Sequence, residues 1–313
     1  PKTYFPEMTF LALAGGVGGA RMVNGLSMVL PPEDLLVAVN IGDDFTHLGL
    51  RICPDLDTVM YTLAGLANPD TGWGIRNETW NAITTLETLG GPSWFRLGDQ
   101  DLATHLERTR RLSAGESLSE VTESICRKLD VSYRIVPVSD KPVSTIVATK
   151  DGELSFQDYF VKRKCQPVVT GFRFDRASEA TLSEPLHKAI NHDEIDCVII
   201  CPSNPYVSID PILAIPEMRK FLSTNVPVLA VSPIINGEAI KGPAAKMMLE
   251  LGLSPSVLNI ANHYHGISDG IVIDIADKSE ADVLRARGLK VLVTKTIMKN
   301  ETASRSLAEE TLS

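Results

Sequence analysis

The sequence predicts an α/β protein built on a doubly wound, Rossmann-like and mostly parallel sheet. Three observations predict it. Short, uniformly apolar, β-branched runs recur along the chain, as strands covered on both faces require. Stretches with helical spacing lie between them, so strand and helix alternate. The first run, "TFLALA" at 9–14, leads straight into the glycine turn "GGVGGAR", which opens a helix.

The elements follow in order. "ARMVNGLSMVL" (20–30) carries the helical spacing after the glycines, and "LLVAVN" (35–40) reads as the second strand. Residues 57–130 have few strand-like runs and several helical ones, at 77–89, 101–112 and 116–129. They are expected to form a helical insertion within a single domain spanning 1–313. "RIVPVS", "STIVAT", "LSFQDYF" and "VVTGFRF", between 134 and 174, alternate more and suggest a small antiparallel patch. Sheet strands resume at "DCVIIC" (196–201), "VPVLAVS" (226–232), "GIVIDI" (270–275) and "LKVLVT" (289–294). Helices are expected at 242–252 and 279–287, and "KNETASRSLAEETLS" should close with another.

Composition narrows the class of protein. With 313 residues, 44% of them hydrophobic, the chain can bury a sizeable core. No run approaches the ~20 apolar residues of a membrane span. "PKTYFPEMTF" lacks the pattern of a signal peptide, so a cytoplasmic protein is expected. The five cysteines, an odd number without C-x-x-C, read as buried hydrophobes in a reducing compartment. A net charge of −9 argues against nucleic-acid binding. It also requires that any bound phosphate be neutralised locally, by a metal ion, a helix N-terminus or a few basic side chains.

Gly15, Gly16, Gly18 and Gly19 fall within five positions. A strand, a glycine turn and a helix bring backbone N–H groups and a helix N-terminus to one point, a phosphate or nucleotide site in an open α/β sheet. A tight packing turn is the competing reading. The four glycines and Arg21 are the nucleotide- or phosphate-binding candidates of this loop, although Arg21 stands where a dinucleotide fingerprint has its third glycine, and with no G-K-[ST] the loop is not a P-loop. The second strand ends in "VNIGDDF", and "CPDLDTV" follows. Asp43, Asp44, Asp55 and Asp57 are more carboxylates than a ribose needs, and they suggest a hard cation, magnesium. Asp55 is expected to cap a helix, which leaves Asp57 to point into the cleft.

Nine segments in order resemble one family. They are "AGGVGGARMVNGL", "VNIGDD", "CPDLDTVMYTLAG", "WGIRNETW", "FRLGDQDLATHLERT", "VPVSDKPVSTIV", "FQDYFVKRKCQP", "CPSNPYVSIDPILAIP" and "VSPIINGEAIKGPAAKMM". Together they resemble 2-phospho-L-lactate transferase, the CofD/FbiA family of coenzyme F-420 biosynthesis. The resemblance implies a transferase that moves a phospho-acid (2-phospholactate, phosphoenolpyruvate or similar) from a guanylyl diphosphate donor. The acceptor is the ribityl hydroxyl of the deazaflavin Fo, GMP leaves, and the product is F-420-0 or its dehydro form. Magnesium and a homodimer are implied as well. The glycine loop looks like the bacterial form, which favours a non-lactyl phospho-acid.

Asp57 is the first candidate, as metal ligand or as the carboxylate that orients the attacking hydroxyl; the resemblance places it and Arg96 at the deazaflavin. Asp44 is the second metal ligand. Asp99 and Asp101 in "LGDQDLATH" read as structural, beside an N-capped helix. Ser203 and Asn204, expected to be exposed beyond a strand's carboxyl end, are assigned by resemblance to the guanosine part. Ser232 is a further candidate for the same nucleotide. The basic run at 162–164 meets either substrate or solvent. His263 and His265, two apart, would share one face of a strand, without further ligands for zinc. Two other classes compete: a non-catalytic nucleotide-sugar-binding regulator of the same fold, and an NAD-dependent oxidoreductase, which the missing third glycine and the acidic cluster disfavour.

Overall fold

A computed structural model describes residues 8–223 and 226–313. The opening residues 1–7, part of the stretch read for a signal peptide, lie outside the described residues. Seven strands make the main sheet and are labelled in chain order. They are β1 (Phe10–Ala14), β2 (Leu35–Val39), β3 (Arg134–Pro137), β4 (Cys197–Ile200), β5 (Val228–Val231), β6 (Gly270–Asp274) and β7 (Lys290–Thr294). Their spatial order is β7-β6-β5-β4-β1-β2-β3, and every pairing is parallel. β1, β2 and β6 are buried at every residue, which is why their sequences are apolar without alternation.

From β1 the chain moves outward to β2 and β3, then returns to β4 on the other side of β1. The order of strands therefore reverses between β1 and β4. Open α/β sheets take their ligands in the crevice at such a switch point, beyond the carboxyl edge. The first helix, α1 (Gly16–Ser27), leaves β1 at that crevice and packs between α2 (Pro54–Leu63) and the closing helix Glu301–Thr311. Leu56, Val59 and Met60 of α2 are fully buried, so α2 belongs to the core of the sheet domain. The helices α3 (Asn81–Thr88), α4 (Asp99–Ser113) and α5 (Leu118–Lys128) follow it. Among the described residues no helix is long and apolar enough to cross a membrane.

The strands and helices read from sequence are present within a few residues, with three corrections. Arg134–Pro137 is not part of an antiparallel patch; it is the edge strand of the main sheet, paired from Leu36↔Arg134 to Val39↔Pro137. Its three buried residues Ile135, Val136 and Pro137 form a continuous apolar run, which suits a parallel strand. The antiparallel patch itself holds Ser144–Thr149 between Gly152–Ser155 and Val169–Asp175. The basic run does not end a strand either. It follows a π-helical turn, Asp158–Lys162, and Lys164 and Cys165 take left-handed backbone angles. Finally, His263 and His265 do not share a strand face. His263 ends the helix Val257–His263, and its Nε2 pairs with Asp210 at 2.8 Å, so it is a structural histidine.

Candidate functional site

The glycine turn is packed mainly against its own chain. A methyl group on Gly15 would press on Asp55 and Ser208, one on Gly18 would collide with the carbonyl oxygen of Pro202, and one on Gly19 would press on Ser203. The Pro202–Asn204 loop after β4 is thus seated directly on the turn after β1. Gly16 is the one member whose backbone is left-handed, with φ at +61°. Its N–H is taken by Asp55 Oδ1 at 2.7 Å. Asp55 does cap a helix, but the helix is α1 rather than its own α2. That places a carboxylate at the N-terminus of α1, where a phosphate would otherwise find its first donor.

Asp55 belongs to a buried cluster. Asn40, at the end of β2, donates from Nδ2 to Asp55 Oδ2 at 2.9 Å and to Asp43 Oδ1 at 3.4 Å, and its Oδ1 accepts from Gly42 N–H at 2.8 Å. Asp44 pairs through Oδ2 with Arg51 at 3.0 Å, while its buried Oδ1 has no partner among the described residues. Burial raises all three carboxyls. Asp44 is pushed up to about 6 against the lowering pull of Arg51. Asp55 is raised by burial to about 6 although Asn40 and Gly16 hydrogen-bond it. Asp43 lies well above the carboxylate range, first through burial and then through the charges of Asp55 and Asp44. Buried carboxylates that repel one another, with one oxygen lacking a donor, are a donor set that suits a hard divalent cation.

Asp57 is placed differently from expectation. It does not point free into the cleft. Arg108 of α4, fully buried, grips it with both guanidinium ends, Nη1 at 3.1 Å from Oδ2 and Nη2 on Oδ1. Burial opposes the charge on Arg108, and Asp57 more than offsets this, so the guanidinium titrates above its ordinary value. Arginine can only donate, so the Nη1 contact to His105 at 3.1 Å makes His105 Nδ1 an acceptor. His105 Nε2 then faces Asp101 at 3.3 Å, and Tyr61 donates to Asp101 at 2.8 Å. Asp57, Asp101 and His105 offer three ligand atoms within 4.8 Å of one another, but the guanidinium already supplies the positive charge on Asp57. This is a reason to look for the cation among Asp43, Asp44 and Asp55 instead.

The remaining candidates separate into two groups. Ser203 is not exposed: it is buried, and its hydroxyl accepts the Gly15 N–H at 3.2 Å. Asn204 Oδ1 accepts from Tyr206 N–H at 3.1 Å, and Ser232 is buried with its hydroxyl bonded to the Ile234 carbonyl at 2.9 Å. These three side chains shape the loops of the crevice. Asp99 is structural as expected; it accepts from Thr79, Asn81 and Ala82 and so caps α3. Arg96 is exposed and lies over the Trp80 ring, 4.9 Å from its centre. Just before it, Trp94 and Phe95 pack on Phe45 and His47 of the hairpin that directly follows Asp44, with Phe45 and Phe95 4.8 Å apart. Lys162 of the basic run stands 5.7 Å from the Trp94 ring centre.

The sequence reading missed this aromatic wall and the partner of Asp57. The aromatics are far apart in sequence, at 45–47 and 94–95. Arg108 left a fainter trace: His105 and Arg108 occupy the inward positions of α4, where apolar side chains are the rule.

Comparison with known proteins agrees with this architecture. Residues 10–305 match the family described as 2-phospho-L-lactate transferase CofD. A phosphoenolpyruvate transferase of Streptomyces griseus is 38% identical over 97% of this chain and 98% of its own. One from Mycolicibacterium smegmatis is 39% identical over 92% and 94%. A 2-phospho-L-lactate transferase of Methanosarcina acetivorans is 37% identical over 96% of each chain. Among solved structures, a upf0052 family protein from Bacillus halodurans has the same fold, with a TM-score of 0.65 at 16% identity, covering 99% of this chain and all of that one. Matched along nearly its whole length, the chain belongs to the 2-phospho-L-lactate transferase CofD family.

Proposed function

We propose that this protein transfers a phospho-acid from a guanylyl diphosphate donor to the ribityl hydroxyl of Fo, as a step in coenzyme F-420 biosynthesis. The observation that carries the reading is the buried cluster of Asp43, Asp44 and Asp55 at the switch point, continuous with the aromatic wall of Phe45, His47, Trp94 and Phe95. The wall suits a flat ring system such as a deazaflavin, with Arg96 and the Asp57–Arg108 pair beside it in sequence and fold. In the reaction the hydroxyl oxygen bonds to the phosphorus that bears the phospho-acid. The bridging P–O bond breaks, and its electron pair leaves with GMP. The hydroxyl proton leaves with the transfer and passes to solvent or to a carboxylate that the cation does not hold.

A magnesium ion fits the proposal, held by Asp44 with Asp43 and Asp55. It would supply charge neutralisation for the diphosphate in a protein of net charge −9. Asp57, already neutralised by Arg108, is read as the carboxylate that positions the acceptor. The crevice loops at Gly15–Gly19, Ser203–Asn204 and Ser232 would receive the guanosine part, mainly through backbone groups. A homodimer completes the proposal and is read from sedimentation. Relatives named for phosphoenolpyruvate and for 2-phospho-L-lactate are equally similar, so the donor is found by experiment. The enzyme is incubated with Fo, magnesium and each guanylylated phospho-acid, and products are weighed by mass spectrometry. Adduct formation with GMP release is expected for the enolpyruvyl donor. No adduct with any donor, despite tight guanine-nucleotide binding, would favour the regulator of the same fold.

A further inference from the structure

The arginines that the site brings into question are not held alike. Arg51 and Arg108 hold carboxylates, and Arg21 donates from Nη1 to the Met298 carbonyl at 2.8 Å. The Arg96 side chain does neither. Among the described residues it has no ion pair and no hydrogen bond, and its guanidinium carbon lies over the Trp80 ring, 4.9 Å from the centre. An indole face has no lone pair to accept a hydrogen bond. The contact therefore steadies the charge and leaves the five N–H donors of the guanidinium to a ligand.

The backbone that carries Trp80 is fixed from outside its own helix. α3 buries a single residue, Ile83, so the core does little to place it. Its N-terminus is instead locked to that of α4 by an exchange of carboxylates. Asp99, the first residue of α4, accepts from Thr79 Oγ1 at 2.7 Å and from the Asn81 and Ala82 N–H groups at 3.0 and 2.9 Å. Glu78 returns the cap: its two oxygens accept from the Gln100 and Asp101 N–H groups of α4 at 2.8 and 3.0 Å. Each carboxylate thus satisfies N–H groups that a helix end leaves open. The Glu78 side chain passes over Gly98, where a Cβ would collide with it. Trp80 stands between Thr79 and Asn81, both bonded to Asp99, and the loop that carries Arg96 is braced on its other side by Trp94 and Phe95 against Phe45.

We propose that Trp80 is a positioning residue that holds Arg96 ready for the acceptor ring. The inference rests on the reading that Fo lies along the aromatic wall with Arg96 beside it, and deepens that reading. A free arginine loses rotamer freedom when it binds a ligand. One already stacked on a ring has lost much of that freedom beforehand, so less affinity is given up on binding. Trp80 then acts on acceptor binding through Arg96 and leaves the transfer step alone.

The test is a double-mutant cycle read by the fluorescence anisotropy of Fo. The proteins are wild type, Trp80→Leu, Trp80→Phe, Arg96→Gln and Trp80→Leu/Arg96→Gln, with thermal melts to establish that each is folded. Trp80→Leu should weaken Fo binding about 2- to 5-fold, as for loss of an exposed cation–π contact. Trp80→Phe, which keeps a ring face, should recover part of that loss. In the Arg96→Gln background Trp80→Leu should change nothing further. In steady state Trp80→Leu should raise KM for Fo and leave kcat and the KM of the donor as they are, as loss of uniform binding does. Equal weakening by Trp80→Leu with and without Arg96 overturns the inference, since Trp80 would then meet the ring itself. An unaltered Fo affinity in Trp80→Leu overturns it too. Absence of Fo binding to wild type removes the acceptor reading and the inference with it, whereas the other two results remove the inference alone.

Discussion

The buried pair Asp57–Arg108 makes a quantitative demand on stability. Replacing Arg108 with methionine keeps most of the side-chain volume but leaves Asp57 in the interior without its counter-charge. Arg108 is fully buried and Asp57 is 5% exposed, so solvent cannot screen the loss. Removing one partner of such a pair costs about 3–5 kcal/mol. For a chain of this size each kcal/mol lowers the melting temperature by roughly 2 °C, so a drop of about 6–10 °C is expected. Arg111→Met is the internal control. Its partner Glu116 is far more exposed, at 36% of the side chain, and such a pair is worth about 1 kcal/mol or less. Urea unfolding of both variants, followed by circular dichroism, supplies the comparison. The double variant Asp57→Asn/Arg108→Met should be less damaged than the two single changes added together, because it leaves no unpaired charge. If Arg108→Met unfolds within about 1 kcal/mol of wild type, as a surface pair would, the reasoning fails, and Asp57 returns to the list of free cleft carboxylates.

Two further outcomes follow from the geometry. Gly18→Ala drives a methyl into the Pro202 carbonyl, a backbone atom that cannot swing aside, so it should cost about 1–3 kcal/mol in stability; a melt identical to wild type would show that the crevice loops are not in contact. Asp44 titrates near 6 in the folded protein against 3.8 for an ordinary aspartate, so the native state binds its proton more tightly than the unfolded chain does. Stability conferred by that proton is fully present below about pH 4 and is lost as pH rises through 6, an amount on the order of 3 kcal/mol. Asp44→Asn should therefore flatten the decline in metal-free stability between pH 4 and 7, and magnesium should raise the melting temperature of wild type more at pH 7.5 than at pH 5. An unaltered slope in Asp44→Asn would contradict the burial argument.

Much of the candidate site was legible as a set of residues but not as an arrangement. The acidic loop of "VNIGDDF" and "CPDLD" stood out because four carboxylates near one strand end are more than a ribose needs. Their separation into a buried group at Asp43, Asp44 and Asp55, whose carboxyls burial raises, and an ion-paired Asp57, depends on how the chain packs around them and on Arg108. Arg108 lies 51 positions from Asp57 along the chain, and no local pattern specifies that contact. Ser203 was placed correctly beyond β4 but expected to be exposed; it is buried because the loop closes down on the side-chain-free surface of the glycine turn.

By itself the sequence determined the alternation of strand and helix, the parallel character of the sheet and the location of the crevice loops. These follow from local periodicity and from the uniform burial that covered strands require. Only the tertiary structure showed what packs against the glycines. At Gly15, Gly18 and Gly19 the space a side chain would need is occupied by Asp55, Ser208, Pro202 and Ser203, whereas the sequence favoured a phosphate over a packing turn. It also decided that Asp55 caps a helix other than its own. A carboxylate's role is set by the charges and donors within a few ångströms of it, and those distances exist only once the chain has folded.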